Sequence, residues 1–136
     1  MNAKEQLQEV RRLDIEIHAM EAEGKRTAEL LDYVSNQLGN GRETAAAIIA
    51  LMELAVQIDE RILRLDSISK DIRASIDNLK EARHRHVLIL RYFLCKEWRE
   101  IAAKTSYSER SVHRIHTAAL VELDTILANI TPPAAP

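Results

Sequence analysis

The 136-residue chain is poor in the residues that interrupt helices or cross-link a fold: it has three glycines, three prolines, one cysteine and one tryptophan. Cys95 stands alone, so an internal disulfide is excluded and nothing marks an oxidising compartment. No apolar run approaches the roughly 18 residues needed to span a bilayer. The opening MNAKEQLQEVRRLD carries charge where a signal peptide needs an apolar stretch. These absences predict a cytoplasmic protein with no membrane partner. There is no glycine-rich phosphate loop and no nucleophile motif, so neither an enzyme nor a bound cofactor is expected. His84 and His86 diverge on a helix. His113 and His116 share a face but have no third ligand, which makes a poor zinc site, so no metal is expected. The NIT at 129–131 fits a glycosylation pattern that has no meaning in the cytoplasm.

What is present is Ala, Leu, Ile, Glu and Arg, a composition that predicts an all-α fold. The net charge of −2 hides an asymmetry. Residues 1–79 hold 10 Lys/Arg against 15 Asp/Glu, whereas residues 80–136 hold 9 against 6, along with four of the five histidines. Between Arg83 and Thr117 there are 8 basic residues to 3 acidic. A basic segment joined to an acidic one suggests an end that meets a polyanion and an end with another task.

Apolar residues recur at steps of three and four through Val10, Leu13, Ile17 and Met20, then Leu31, Val34 and Leu38. The seam is interrupted at Gly24 and Thr27, where a kink or break is expected. LGNGRE at 38–43 reads as a turn. A second seam follows through Ile48, Leu51, Ala55, Ile58, Ile62 and Leu65, then Ile68, Ile72, Ile76 and Leu79. One helix from 43 to 79 would be roughly 55 Å long and could not bury its stripe alone. Residues 1–79 therefore predict a long N-terminal helical hairpin or coiled coil. Ile15, Ile49, Met52, Leu54 and Leu63 widen its stripe enough to predict a homodimer through these helices.

Residues 80–131 read as shorter helices. RHRHVLILRYFLC would bury Val87, Leu88, Leu90 and either Leu94 or Tyr92, with Cys95 buried and inert; EWREIAAK and SERSVHRIHTAALVELDTILANI would follow. TPPAAP cannot continue a helix, and 132–136 are expected to be a disordered tail. Within EIAAKTSYSERSVHRI, Ile101 would anchor the first helix and the small Ala102 would let the second approach. Tyr107 would plug the turn, Ser108 would cap the second helix, and Val112 and Ile115 would face the core. The outward positions Glu109, Arg110, Ser111, His113, Arg114 and Thr117 are polar and largely basic. That is the layout of a compact C-terminal helix-turn-helix module, whose second helix enters the major groove of double-stranded DNA. Ser106 stands where the turn often has glycine.

The stretch VLILRYFLCKEWREIAAKTSYSERSVHRIHTAALVEL (87–123) resembles region four of bacterial sigma factors, the helix-turn-helix that reads the −35 promoter element. The whole chain resembles a phage-encoded family of unknown function related to the ArpU-type regulators of phage late operons. The resemblance covers 1–130 in layout and about 83–123 in motif. It implies a sequence-specific transcription regulator of phage or prophage origin, working in the cytoplasm of a bacterial host. Two modules held by the helical half would bind paired half-sites; in the alternative, one module acts in sigma-like fashion with the long helices touching RNA polymerase as a partner. In sigma region four, base contacts come from the first turns of the recognition helix, here matching Glu109, Arg110, Ser111 and Arg114. The acidic-then-basic pair usual there is replaced by Arg110 and Ser111, so the same promoter sequence is not implied.

Arg110 and Arg114 are the leading base readers, since a guanidinium can bind guanine O6 and N7 together. Ser111, His113 and Thr117 are secondary candidates. Lys104, Thr105, Tyr107 and Ser108 are placed for phosphate contacts, with Arg91, Lys96 and Arg99 as further candidates alongside Arg83 and Arg85. For the last five, a solvated surface charge is the competing reading. Trp98 is expected to pack rather than bind. Two other functions compete: a DNA-packaging recognition subunit of the small-terminase kind, and a helical adaptor that binds no DNA.

Overall fold

The structure, a computed structural model, describes residues 1–38 and 41–130. The central part of the 38–43 turn and the expected tail at 132–136 lie outside the described residues. Among the described residues there are five α-helices and no strand, so the chain is all-α. They are α1 (Ala3–Leu38), α2 (Arg42–Asp77), α3 (Ala82–Leu88), α4 (Trp98–Thr105) and α5 (Glu109–Ile130); a π-helical turn, Ile89–Phe93, continues α3. No described helix is long and apolar enough to cross a membrane. Two compact units result, one of residues 1–12 with 66–130 and the other Leu13–Leu65. Both long helices therefore contribute a segment to each unit.

The first unit has a closed core. Ile72 and Ile76 from the end of α2 and Leu79 just beyond it are buried, as are Val87, Leu88, Leu90 and Tyr92, then Ile101, Val112, Ala119 and Leu123. The start of α1 belongs here too, with Ala3, Leu7 and Val10 buried at helical spacing. Asn2 caps that helix: the Glu5 N–H donates to Asn2 Oδ1 at 2.8 Å and the Asn2 N–H returns to Glu5 Oε2 at 3.1 Å. The Ala3 N–H donates to Asp124 Oδ1 at 2.7 Å, fastening the N-terminus to α5. The Arg11 guanidinium reaches Glu97 at 3.2 Å.

The π turn decides a point that periodicity left open. The Leu94 N–H bonds back to the Ile89 carbonyl at 3.0 Å, five residues away. The wider turn carries Tyr92 inward and leaves Leu94 exposed. Cys95 then takes a left-handed backbone, φ 53°, so it ends the helical run instead of lying buried within it.

In the second unit α1 and α2 run antiparallel. Arg61 Nε donates to Glu16 Oε1 at 2.5 Å, and a Cβ on Gly24 would stand 3.3 Å from Leu54 Cδ2. The expected break at Gly24 and Thr27 does not occur: α1 is continuous through both. Glycine costs a helix about 1 kcal/mol relative to alanine, but here it admits the Leu54 side chain, and the packing outweighs the propensity. Leu51, Leu54, Ile58 and Leu65 are half-buried. Ile15, Leu30, Tyr33, Ile48, Ile49, Met52, Val56, Ile62 and Leu63 remain exposed. The second seam is thus closed only at its C-terminal end, from Ile72 onward.

Candidate nucleic-acid interface

The candidate surface is built by the way α4 and α5 are held. Val87, Leu90, Ile101, Val112 and Ile115 form one buried cluster, with Trp98 and Ala102 packed against it. The anchor, the small residue and both inward positions of α5 are therefore where the sequence put them. At the start of α4 the Glu97 N–H donates to Glu100 Oε1 at 3.3 Å. The helix ends at Ser106, whose φ of 61° is the left-handed conformation that usually favours glycine. Ser108 caps α5: the Ser111 N–H donates to Ser108 Oγ at 3.1 Å.

Tyr107 does not plug the turn. It is 43% exposed and stands at the rim of an open cleft of about 610 Å³, together with Glu81, Arg83, His86, Lys104 and Thr105. Arg83 is tied to Glu81 at 2.7 Å, and its hydrogen bond holds the Glu81 carboxyl below the usual carboxylate range.

Beneath the first turns of α5 lies an aromatic and cationic stack. The Trp98 ring is 4.4 Å from the His113 ring and 4.7 Å from the His116 ring, and the Arg91 guanidinium sits 4.4 Å from the indole centroid. Tyr92 Oη and His116 Nε2 share a buried hydrogen bond of 2.7 Å. Burial is the main cause of a His116 pKa lowered to about 4, and burial raises that of Tyr92. Both groups are neutral near pH 7, as a closed, uncharged contact requires.

This geometry sorts the thirteen candidate residues. Glu109, Arg110 and Arg114 are exposed on the first turns of α5, and no ion-pair partner holds either arginine among the described residues. Ser111 is half-buried and engaged with the Ser108 cap. The exposed His113 has its ring against Trp98, and Thr117 donates its hydroxyl to the His113 carbonyl at 3.0 Å. Lys104 and Arg99 are exposed. The Thr105 hydroxyl is spent on the Ile101 carbonyl at 2.7 Å. Arg91 is spent more fully: besides Trp98 it donates to the Lys96 carbonyl at 3.1 Å and lies 3.6 Å from Glu97. Lys96 itself is half-buried. Free cations thus remain at Lys104, Arg110 and Arg114 around the α4–α5 turn.

Sequence reasoning missed His84 and Glu122, which brace this unit. Glu122 accepts from the Lys80 N–H at 3.0 Å and lies 2.9 Å from His84 Nδ1. The Lys80 hydrogen bond, followed by that of His84, lowers the Glu122 pKa. Only the buried position of His84 on its helix could have signalled this. Among the described residues there is no group of three or more His, Cys, Asp or Glu side chains able to hold a metal. No protein-family model, curated protein or solved structure matches the chain.

Proposed function

We propose that the protein is a sequence-specific, double-stranded-DNA-binding regulator in which α4 and α5 act as a helix-turn-helix and α5 is the recognition helix. One observation carries this reading. Arg110 and Arg114 project unpaired from the first turns of a helix whose opposite side is locked by Val112 and Ile115. A rigid helix showing free guanidiniums at its N-terminal end fits the major groove, where each can read a guanine edge. Lys104 beside the turn supplies a phosphate contact, and Arg99 a second on the same helix. Arg91 and Thr105 belong to the scaffold, and His113 acts by setting the helix against Trp98. The rest of the reading comes from the sigma region-four resemblance: phage or prophage origin, a bacterial cytoplasm, a role in transcription without enzymatic activity, and RNA polymerase as a further partner. The working form is a homodimer.

The test is selection of bound sequences from random DNA, followed by titration of variants on the selected site. Arg114→Ala should lose roughly 1–3 kcal/mol there and relax the preference at one position, whereas Lys104→Ala should weaken all sequences alike. Binding of every sequence as by the parent in both variants would remove the assignment. Absence of any salt-dependent affinity for DNA would favour the helical adaptor. A ring-shaped oligomer would favour the packaging subunit.

A further inference from the structure

The outer face of α2 carries three apolar pairs at seven-residue intervals: Ile48 and Ile49, Ala55 and Val56, Ile62 and Leu63. All six are exposed, and Met52 between the first two pairs is 63% exposed. The neighbouring Leu51, Ile58 and Leu65 are half-buried, as is Leu54, which meets Gly24 of α1. The pairs therefore form an apolar stripe, broken only by Asp59, that no described residue of the unit covers. Its large side chains, about half exposed, offer on the order of 600–700 Å² of surface, close to the roughly 800 Å² per partner that a stable interface buries. Solvent-facing apolar patches on monomers seldom exceed about 300–600 Å².

The stripe is also nearly self-complementary. A two-fold axis between residues 55 and 56 exchanges its ends, so that Ile48 meets Leu63 and Ile49 meets Ile62 of an antiparallel copy. At the centre the small Ala55 meets Val56, which lets the two backbones approach. Asp59 then faces Met52 of the other copy. A parallel copy in register would instead set Asp59 against Asp59, at a cost from repulsion. We infer that the Ile48–Leu63 face of α2 binds the same face of a second copy of this chain, antiparallel, in an isologous two-fold contact. This deepens the dimeric part of the proposed function and rests on it for its purpose.

Sedimentation equilibrium of the full chain without DNA tests the inference. A dimer is expected at micromolar concentration, with Leu63→Glu sedimenting as a monomer of unchanged helicity. Orientation is read by oxidative cross-linking in a Cys95→Ser background. A mixture of Ile49→Cys and Ile62→Cys chains should give the mixed disulfide in quantity, and Ile49→Cys chains alone should give almost none. A monomeric parent, a Leu63→Glu dimer, or efficient cross-linking of Ile49→Cys alone would each overturn the proposal. None of these outcomes alters the Arg114 experiment, so loss of the dimer and loss of DNA reading are separately visible.

Discussion

Residues 1–12 with 66–130 and residues 13–65 are built from the same kinds of residue, yet they reach opposite ends. The first set draws on all five helices and leaves Leu7, Ile72, Ile101, Val112 and Leu123 at 2% exposure or less. The second has two helix segments, and a pair of helices can hide only the stripe along which they touch. Leu30, Met52 and Leu63, each more than 60% exposed, lie outside that stripe. Leu13 and Ile17, near one end of the pair, are buried, but layer number rather than hydrophobic content separates the two regions: without a further layer, most of the helix pair's apolar side chains stay at least partly in solvent. In the first region burial fixes geometry, so the exposed arginines of α5 have a defined place. In the second, the exposed stripe is the feature available for function.

The comparison can be broken most directly by alanine scanning. Ile101→Ala should cost about 2–5 kcal/mol in chemical denaturation, the range for a large side chain removed from a packed core. Ile49→Ala in dilute protein should stay within about 0.5 kcal/mol, with a cost that rises as protein concentration increases. Equal and concentration-independent losses at both positions would abolish the distinction.

The pH dependence of stability sharpens it. His116 has a folded pKa of about 4 against an unfolded value near 6.5, chiefly through burial. Between those values the unfolded chain takes up a proton that the folded one refuses. Stability should therefore be full above pH 6.5 and fall as the pH drops toward 4, by up to roughly 3 kcal/mol. His116→Gln should flatten that window. In residues 13–65 the sign is reversed. The hydrogen bond of His18 to the Asp14 carbonyl raises its pKa, so what it contributes is present at low pH and is lost as the pH rises. Exposure of the ring keeps that contribution small.

Smaller effects come from the backbone. Ser106→Gly should stabilise the first region by about 1 kcal/mol, since it relieves a left-handed residue that carries a Cβ. Gly24→Ala should change the second by less than about 1 kcal/mol, because the helical gain is offset by the contact with Leu54. Thermal denaturation followed by circular dichroism reads both.

Periodicity made α4, α5 and their shared seam legible. Ile101, Val112 and Ile115 are apolar residues among polar ones, and Ser108 has the chemistry of a cap. Other features stayed hidden, most of them because they depend on contacts between distant segments. Gly24 reads as a breaker until Leu54 is seen beside it. Tyr107 looks like a plug because its size shows in the sequence and the open cleft beside it does not. The π turn at Ile89–Phe93 has no marker in the sequence, yet it decides between Tyr92 and Leu94. Ala3 and Leu7 continue the first seam upstream, but nothing local says that they join the C-terminal helices. Among the candidate contact residues, charge alone could not separate Arg91, absorbed by Trp98, from Arg114, which is free.

The stack around Trp98 gives the protein a built-in optical reporter. Trp98 is the sole indole, held between Arg91 and two imidazoles at the junction of α4 and α5. Emission from a tryptophan depends on the ring charges around it, and a protonated imidazole in contact quenches it. Any event that shifts α5 against α4 should therefore register as a change in intrinsic fluorescence, without a dye and without altering a residue.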